Sequence, residues 1–423
     1  MRDPAFLEVA DRIGRRLCRD AIWAGRQCNW TGWSIDAFRN GWLPVYKALP
    51  PTLYEGTAGV ALFLAHLWAA TRDQVIRRTL EGAVNRTLAG LEAVAPELQT
   101  SFYYGAAGIA YSCIEIGEAA EADGLVRKGV DLLRQIAGRD PEERFTDICN
   151  GAAGTIQAML RAASHDEAEL LVPAAERLGD LLLRTAHRSD EGWSWDTAQT
   201  AGQRHLLGYA NGSAGIGCAL AELSAATGES RFGQAALEAF RYERAHFDAR
   251  NLNWPDFRQN PAASSGEAPI ISAWCYGAPG IGLARLRGYD VLRDVETLGD
   301  LNIALDATVR SVSAPLTPGA GSFCLCHGYA GNADLFIETA SILDRPDLHA
   351  TAETVGRNGM AQFHAPDLPW PCGVGSGETP NLMLGLAGIG YFYLRLFDPS
   401  AVHSVLLVRQ SARKSAVLAK AMP

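Results

Sequence analysis

Two short stretches carry the residues best suited to chemistry, Trp274-Cys275-Tyr276-Gly277 and Cys326-His327-Gly328. Together they offer two thiols and one imidazole, each close before a glycine that opens an apolar run. Two Cys and one His are the ligand count of a catalytic zinc site that keeps its fourth position open. At a helix entrance the unpaired N–H groups and the macrodipole favour an anion, so a thiol there is expected to ionise more easily, and the thiolate is the form that binds metal. Cys326 and His327 are adjacent; their side chains would diverge within a regular helix but can converge at a helix entrance. A lone free cysteine is usually a small buried hydrophobe. Here both donor sets stand in register before the same glycine of neighbouring repeats, which favours Cys275, Cys326 and His327 as metal ligands. Cys324, two residues before Cys326, is the competing ligand. Cys113, Cys149, Cys218 and Cys372 have no His in register; Cys113 and Cys218 read as core, Cys18 and Cys28 as incidental.

The elements that must position these groups repeat. Gly-x-x-Gly heads an apolar segment at Gly56, Gly105, Gly151, Gly212, Gly277, Gly328 and Gly385, with spacings of 49, 46, 61, 65, 51 and 57 residues. Such periods lie near or somewhat above those of helical arrays. The segments after the glycines, such as Gly215-Ile-Gly-Cys-Ala-Leu-Ala, are apolar all round and should be buried on every side. Each alternates with an amphipathic helix: Ala5 to Trp23, Asp73 to Val94, Ala122 to Ile136, Glu167 to His187, Phe232 to His246 and His349 to Phe363 are examples. The expected fold is all-α, a closed double-layered α/α toroid of seven inner and seven outer helices forming one domain over residues 1–423. Longer loops rich in Gly, Pro, Asn and Ser, over 193–206, 253–269, 313–322 and 364–380, gather before inner helices, where binding and chemistry usually sit.

Composition narrows the function classes. The 423 residues are 48% hydrophobic and 20% charged, with a net charge of −9 and no Lys/Arg block, so a nucleic-acid partner is poorly supported. Apolar runs such as Val60 to Ala65 are too short to span a bilayer, and the N-terminus does not read as a signal peptide. Nine widely spread cysteines point to a reducing cytoplasm and to metal or catalytic use rather than a disulfide framework.

Trp-Cys-Tyr-Gly-x-Pro-Gly followed by Cys-His-Gly, within seven glycine-headed repeats, resembles the lanthionine cyclases of the LanC-like family over nearly the whole chain. Leu53 to Leu64 and Leu382 to Tyr391 are most similar to the C-terminal cyclase domain of class II lanthipeptide synthetases; with a start at Met1, the expectation is a free-standing cyclase or a cyclase domain expressed alone. The resemblance implies Zn2+ held by Cys275, Cys326 and His327, and a dehydrated precursor peptide as substrate. A peptide cysteine thiolate would add to dehydroalanine or dehydrobutyrine, and a separate dehydratase or kinase-lyase would act first. It further implies catalytic roles for Asp147, which also suits a helix cap, and for Tyr276. Two positions depart from the family: Asn211, a catalytic candidate that can still donate a hydrogen bond to an enolate oxygen, stands where a histidine is usual, and Ile271 where some relatives carry an arginine. The missing proton donor leaves zinc-bound water, Asp147, Tyr276 or the nearby His205 as candidates. It also leaves open a non-catalytic zinc scaffold that binds a peptide or a modifying enzyme. A transferase joining a thiol such as glutathione to dehydroamino acids is a further alternative.

Overall fold

The computed structural model describes residues 2–38, 41–139, 143–165, 168–198, 204–258, 268–313, 321–365, 367–375 and 377–410. Parts of all four expected loops, residues 199–203, 259–267, 314–320, 366 and 376, lie outside the described residues.

Outer and inner helices alternate from the start. Outer α1 (Pro4–Asp20) is followed by three strands β1 (Ile22–Ala24), β2 (Gln27–Asn29) and β3 (Thr31–Phe38), then β4 (Gly41–Ala48) and inner α2 (Thr57–Thr71). Outer α3 (Gln74–Ala89), inner α4 (Ala106–Ala119), outer α5 (Asp123–Ala137) and inner α6 (Ala152–Ala162) continue the pattern. Outer α7 (Leu171–Thr185) leads through β5 (His187–Ser189) and β6 (Gly192–Ser194) to inner α8 (Ser213–Thr227) and outer α9 (Ser230–Ala245). Inner α10 (Ala278–Leu292), outer α11 (Val295–Ser313), inner α12 (Tyr329–Leu343), outer α13 (Pro346–Gly359) and inner α14 (Leu386–Phe397) complete it.

Local chemistry explains both helix types. In α1, Asp3 accepts the Ala5 N–H, Pro4 occupies the first turn, and Phe6, Val9, Ala10, Ile13 and Leu17 form one buried face. In α2 every residue from Thr57 to Trp68 is buried, as an all-apolar helix requires. Neighbouring inner helices pack around the circle, α14 meets α2, and α1 packs on α14, so the ring closes.

A second closure lies in the backbone. The residue two before each first glycine donates its N–H to the carbonyl of its counterpart in the next repeat. Tyr54 bonds Tyr103 (2.9 Å), Tyr103 bonds Cys149 (3.0 Å), Cys149 bonds Ala210 (3.2 Å) and Ala210 bonds Cys275 (3.2 Å). Cys275 bonds Cys326 (3.3 Å), Cys326 bonds Met383 (2.9 Å), and Met383 returns to Tyr54 (3.0 Å). Seven repeats thus share one cyclic hydrogen-bonded collar. The second glycine of each motif makes this turn possible: a Cβ there would fall 1.7 Å from the Leu325 carbonyl at Gly331 and 1.6 Å from that of Phe102 at Gly108.

The segment after α14 fills the bore. Tyr391 donates to the His403 carbonyl (2.7 Å), Tyr103 to Val405 (2.8 Å) and the Trp274 indole to Leu406 (3.1 Å). Arg395 is buried between Asp334 (2.6 Å) and Glu338 (2.8 Å), and Ser404 also bonds Asp334. The antiparallel hairpin β3–β4 was absent from the sequence expectation. It reaches the collar's rim, where the Trp33 carbonyl accepts from Thr379 (3.0 Å) and Ser34 donates to Glu55 (2.5 Å).

Candidate functional site

The collar converts sequence register into proximity. Cys275 and Cys326 are consecutive members, both buried, and their thiols hydrogen-bond each other. Cys149 occupies the same position two members away, so it belongs to the collar as well. The expectation of an easily ionised thiol does not hold for Cys275 in this state. The adjoining Cys326 sulfur and burial together push its pKa well up, because two neighbouring sulfurs cannot both carry charge without a cation between them.

His327 follows Cys326 but its imidazole turns aside: Nε2 lies 3.1 Å from the Gly373 carbonyl, and the ring also bonds the Cys324 sulfur. Burial would lower this imidazole, yet the Cys324 and Cys275 sulfurs raise it to about 9. Burial likewise would raise Cys324, and His327 more than reverses that, leaving its thiol lowered. Among the described residues no three His, Cys, Asp or Glu side chains meet as a ready-made metal cluster. The donor chemistry nonetheless fits a borderline cation: two thiols in contact and an imidazole on the same turn, with the sulfurs' mutual penalty relieved by positive charge.

Asp147 lies four before its glycine, and its side chain closes the turn ahead of α6 rather than capping the helix, whose N-cap is Gly151 without a side-chain bond. Its Oδ1 accepts the Asn150 N–H (2.7 Å), as Ser101 does for Tyr104 (3.1 Å) and Asn381 for Leu384 (2.9 Å) at the same register. Cys324 shares that register and takes the His327 N–H in the same way. A neutral side chain suffices elsewhere, so the carboxyl of Asp147 is more than the turn requires. It is 3% exposed; burial raises its pKa, opposed by bonds from Asn150 and Asn211. Tyr276 in turn donates to Asn211 Oδ1 (2.8 Å). Asp147, Asn211 and Tyr276 therefore form one hydrogen-bonded chain from repeats three, four and five, beside the Cys275–Cys326 pair. His205 is not part of it: its Nδ1 lies 2.8 Å from Ser194 Oγ, its ring meets His187, and Tyr242 holds its carbonyl.

Side chains on α9 and on the loop that follows it hold the turns. Buried Glu243 on α9 accepts from Gly208 (2.7 Å) and Ala214 (2.9 Å) around Asn211, while Asn253 accepts from Ala278 (2.9 Å) after Cys275.

Several residues went unnoticed in the sequence. Tyr54 hydrogen-bonds Cys326, and Tyr104 bonds Tyr54 with ring centroids 4.9 Å apart. Both stand at collar register, two and one before a first glycine, so aligning the repeats would have found them. Arg258 sits with its guanidinium 3.8 Å from the Tyr276 ring centre. It has no repeat register, and only the folded loop reveals it.

The profile of the family described as lanthionine synthetase C-like protein matches residues 47–407. The chain belongs to the lanthionine synthetase C-like family. It is 24% identical over 318 residues to the nisin biosynthesis protein NisC of Lactococcus lactis subsp. lactis, covering 70% of this chain and 74% of that one. Over 195 residues it is 24% identical to the lacticin 481/lactococcin biosynthesis protein LcnDR2 of the same organism, covering 45% of this chain and only 20% of that longer one. Nisin cyclase has the same fold, with a TM-score of 0.62, 17% identity and 98% of each chain covered. The toroid also resembles the Bacteroides thetaiotaomicron α-mannanase BT2949 (TM-score 0.50, 9% identity, 93% and 95% covered), so the family rests on the match over residues 47–407 rather than on the toroid. No described helix is long and apolar enough to cross a membrane.

Proposed function

We propose that this LanC-like chain is a zinc-dependent lanthionine cyclase acting on a dehydrated, ribosomally made precursor peptide. The observation that carries the reading is the contact between the Cys275 and Cys326 thiols on consecutive collar members, with His327 on the same turn. Cys275, Cys326 and His327 would hold the ion, His327 exchanging its bonds to Gly373 and Cys324 for it. Zinc, when bound, supplies a lowered thiol pKa and a fixed direction for an incoming peptide cysteine.

This chain's own residues would do the rest. Tethering both partners in one peptide at the collar supplies the effective concentration for ring closure. In the addition the sulfur–Cβ bond forms, the Cα=Cβ pair moves onto the acceptor carbonyl, and the enolate takes a proton at Cα. Asp147, whose pKa burial raises and which is linked through Asn211 to Tyr276, is the proton source we favour. Asn211 cannot exchange a proton at neutral pH; here it relays position, gripping Tyr276 and Asp147 at once. That amide also favours a second reading, a zinc scaffold that binds peptide or partner enzyme without turnover. Metal analysis tests the shared premise: the purified protein should hold about one zinc per chain, and an active preparation free of metal would sink the mechanism.

A further inference from the structure

We propose that Arg258 is a catalytic residue that binds the acceptor's carbonyl oxygen as negative charge builds on it during addition. The inference rests on the cyclase reading above.

The demand comes from the chemistry. As the thiolate adds, charge moves to the carbonyl oxygen of the dehydroamino acid, and fixed donors at that oxygen lower the barrier. The hydrogen-bonded chain beside the thiols has few donors to spare. The Tyr276 hydroxyl proton is committed to Asn211 Oδ1 at 2.8 Å, the Asn211 amide is bonded to Asp147, and the Asp147 oxygens accept. Arg258, stacked on the ring of Tyr276 next to Cys275, is a cation outside the proposed metal set.

Its placement suits the task. Residues 253–258 run alongside the approach to Cys275: Pro255 bridges Ile270, Asp256 donates its N–H to Pro269 (2.8 Å), and Asn253 Nδ2 donates to the Ile271 carbonyl (3.1 Å). This pairing sets Arg258 beside the strand that leads into the collar turn, although the strand itself offers apolar Ile271. The buried Asp256 carboxylate takes Arg258 Nε (3.0 and 3.1 Å) and Nη2 (2.7 Å), which fixes the plane of the guanidinium against Tyr276. Nη1 has no hydrogen-bond partner among the described residues. The Arg258 side chain keeps 47% of its surface exposed, against 2% for Asp256. A cation held on one edge and open on the other can meet a substrate oxygen without first reorganising.

The test uses the intact zinc-loaded chain and a synthetic peptide bearing one cysteine and one dehydroalanine, scored as thioether formation above the uncatalysed rate. Arg258→Gln should lower kcat by about 100-fold with KM changed far less, while zinc content and melting temperature stay at wild-type values. Arg258→Lys should keep part of the rate, and guanidinium ion should restore part of the activity of Arg258→Ala. Wild-type kcat in Arg258→Gln overturns the inference, as does a loss that neither lysine nor guanidinium repairs and that tracks a lowered melting temperature. If the wild-type chain closes no ring, the cyclase reading itself fails, and this inference falls with it.

Discussion

Replacing Asp147 in two ways separates its turn bond from its chemistry. Its Oδ1 accepts the Asn150 N–H at 2.7 Å in a buried turn, so Asp147→Ala removes that turn bond and strands the N–H. Leaving a buried N–H unsatisfied costs about 1–3 kcal/mol. Asp147→Asn keeps an acceptor oxygen in place, as Asn381 already does for Leu384 at 2.9 Å in repeat seven. Because it also removes the penalty of a buried ionisable group, its stability should stay within about 0.5 kcal/mol of wild type. Turnover should behave differently. An amide cannot deliver a proton, so both variants should lose about 100- to 10,000-fold in ring closure, the range for a general acid or base. Urea unfolding would give the stabilities, and mass spectrometry of a dehydrated peptide after alkylation the rates. An Asp147→Asn protein with near wild-type turnover would refute the proton assignment and leave Asp147 with its turn bond alone.

Other substitutions probe the remaining assignments. Cys326→Ala should lose both zinc and ring closure, whereas Cys324→Ala should keep the metal; the reverse pattern in metal analysis would move the ligand role to Cys324. Asn211→His should leave turnover unchanged or raise it, and abolished turnover in the same assay would give the amide a role that histidine cannot fill. His66, buried on α2 against Tyr391 with no hydrogen-bond partner for Nε2 among the described residues, tests the far end of the bore. Burial holds its pKa down to about 4 from 6.5; Glu115 and Glu118 oppose this, and His403 and Arg395 add to it. The unfolded chain therefore takes up a proton below pH 6.5 that the folded chain refuses until about pH 4. Stability from this group is complete above pH 6.5 and should fall by about 3 kcal/mol through that window. Urea titrations of His66→Gln should lack this component, and identical pH dependence in both proteins would contradict it.

Much of the architecture was legible because one physical pattern repeats. An all-apolar helix after each glycine pair and an amphipathic helix between them dictate two layers, and the observed bounds shift by a few residues, as for Ala122 to Ile136 against Asp123–Ala137. The final turn of the seventh outer helix continues as a π turn over Met360–His364. The β3–β4 hairpin was missed because a helical period dominates the chain, although both strands are rich in aromatic and β-branched residues. The neighbouring placement of Cys275 and Cys326 was legible from register alone. Their ionisation was not, because the Cys275 pKa depends on the neighbouring Cys326 sulfur across the collar. Nor was the turn of His327 toward Gly373, a contact 46 residues away in the chain. The turn bond of Asp147 is shared with Ser101 and Asn381 at the same register, which only comparison of the folded repeats shows. Arg258 lay hidden because loop pairing, not repeat register, brings it to Tyr276.

The most direct test counts thiols. A dehydrated cysteine-containing precursor peptide is incubated with the zinc-loaded chain, with the chain stripped of metal, and with stripped chain to which zinc is restored. Alkylatable cysteines are then counted by mass. The account predicts loss of free thiols with the loaded and restored protein and none above background with the stripped one. Thiol loss that ignores zinc, or unchanged thiols in every sample, would contradict it.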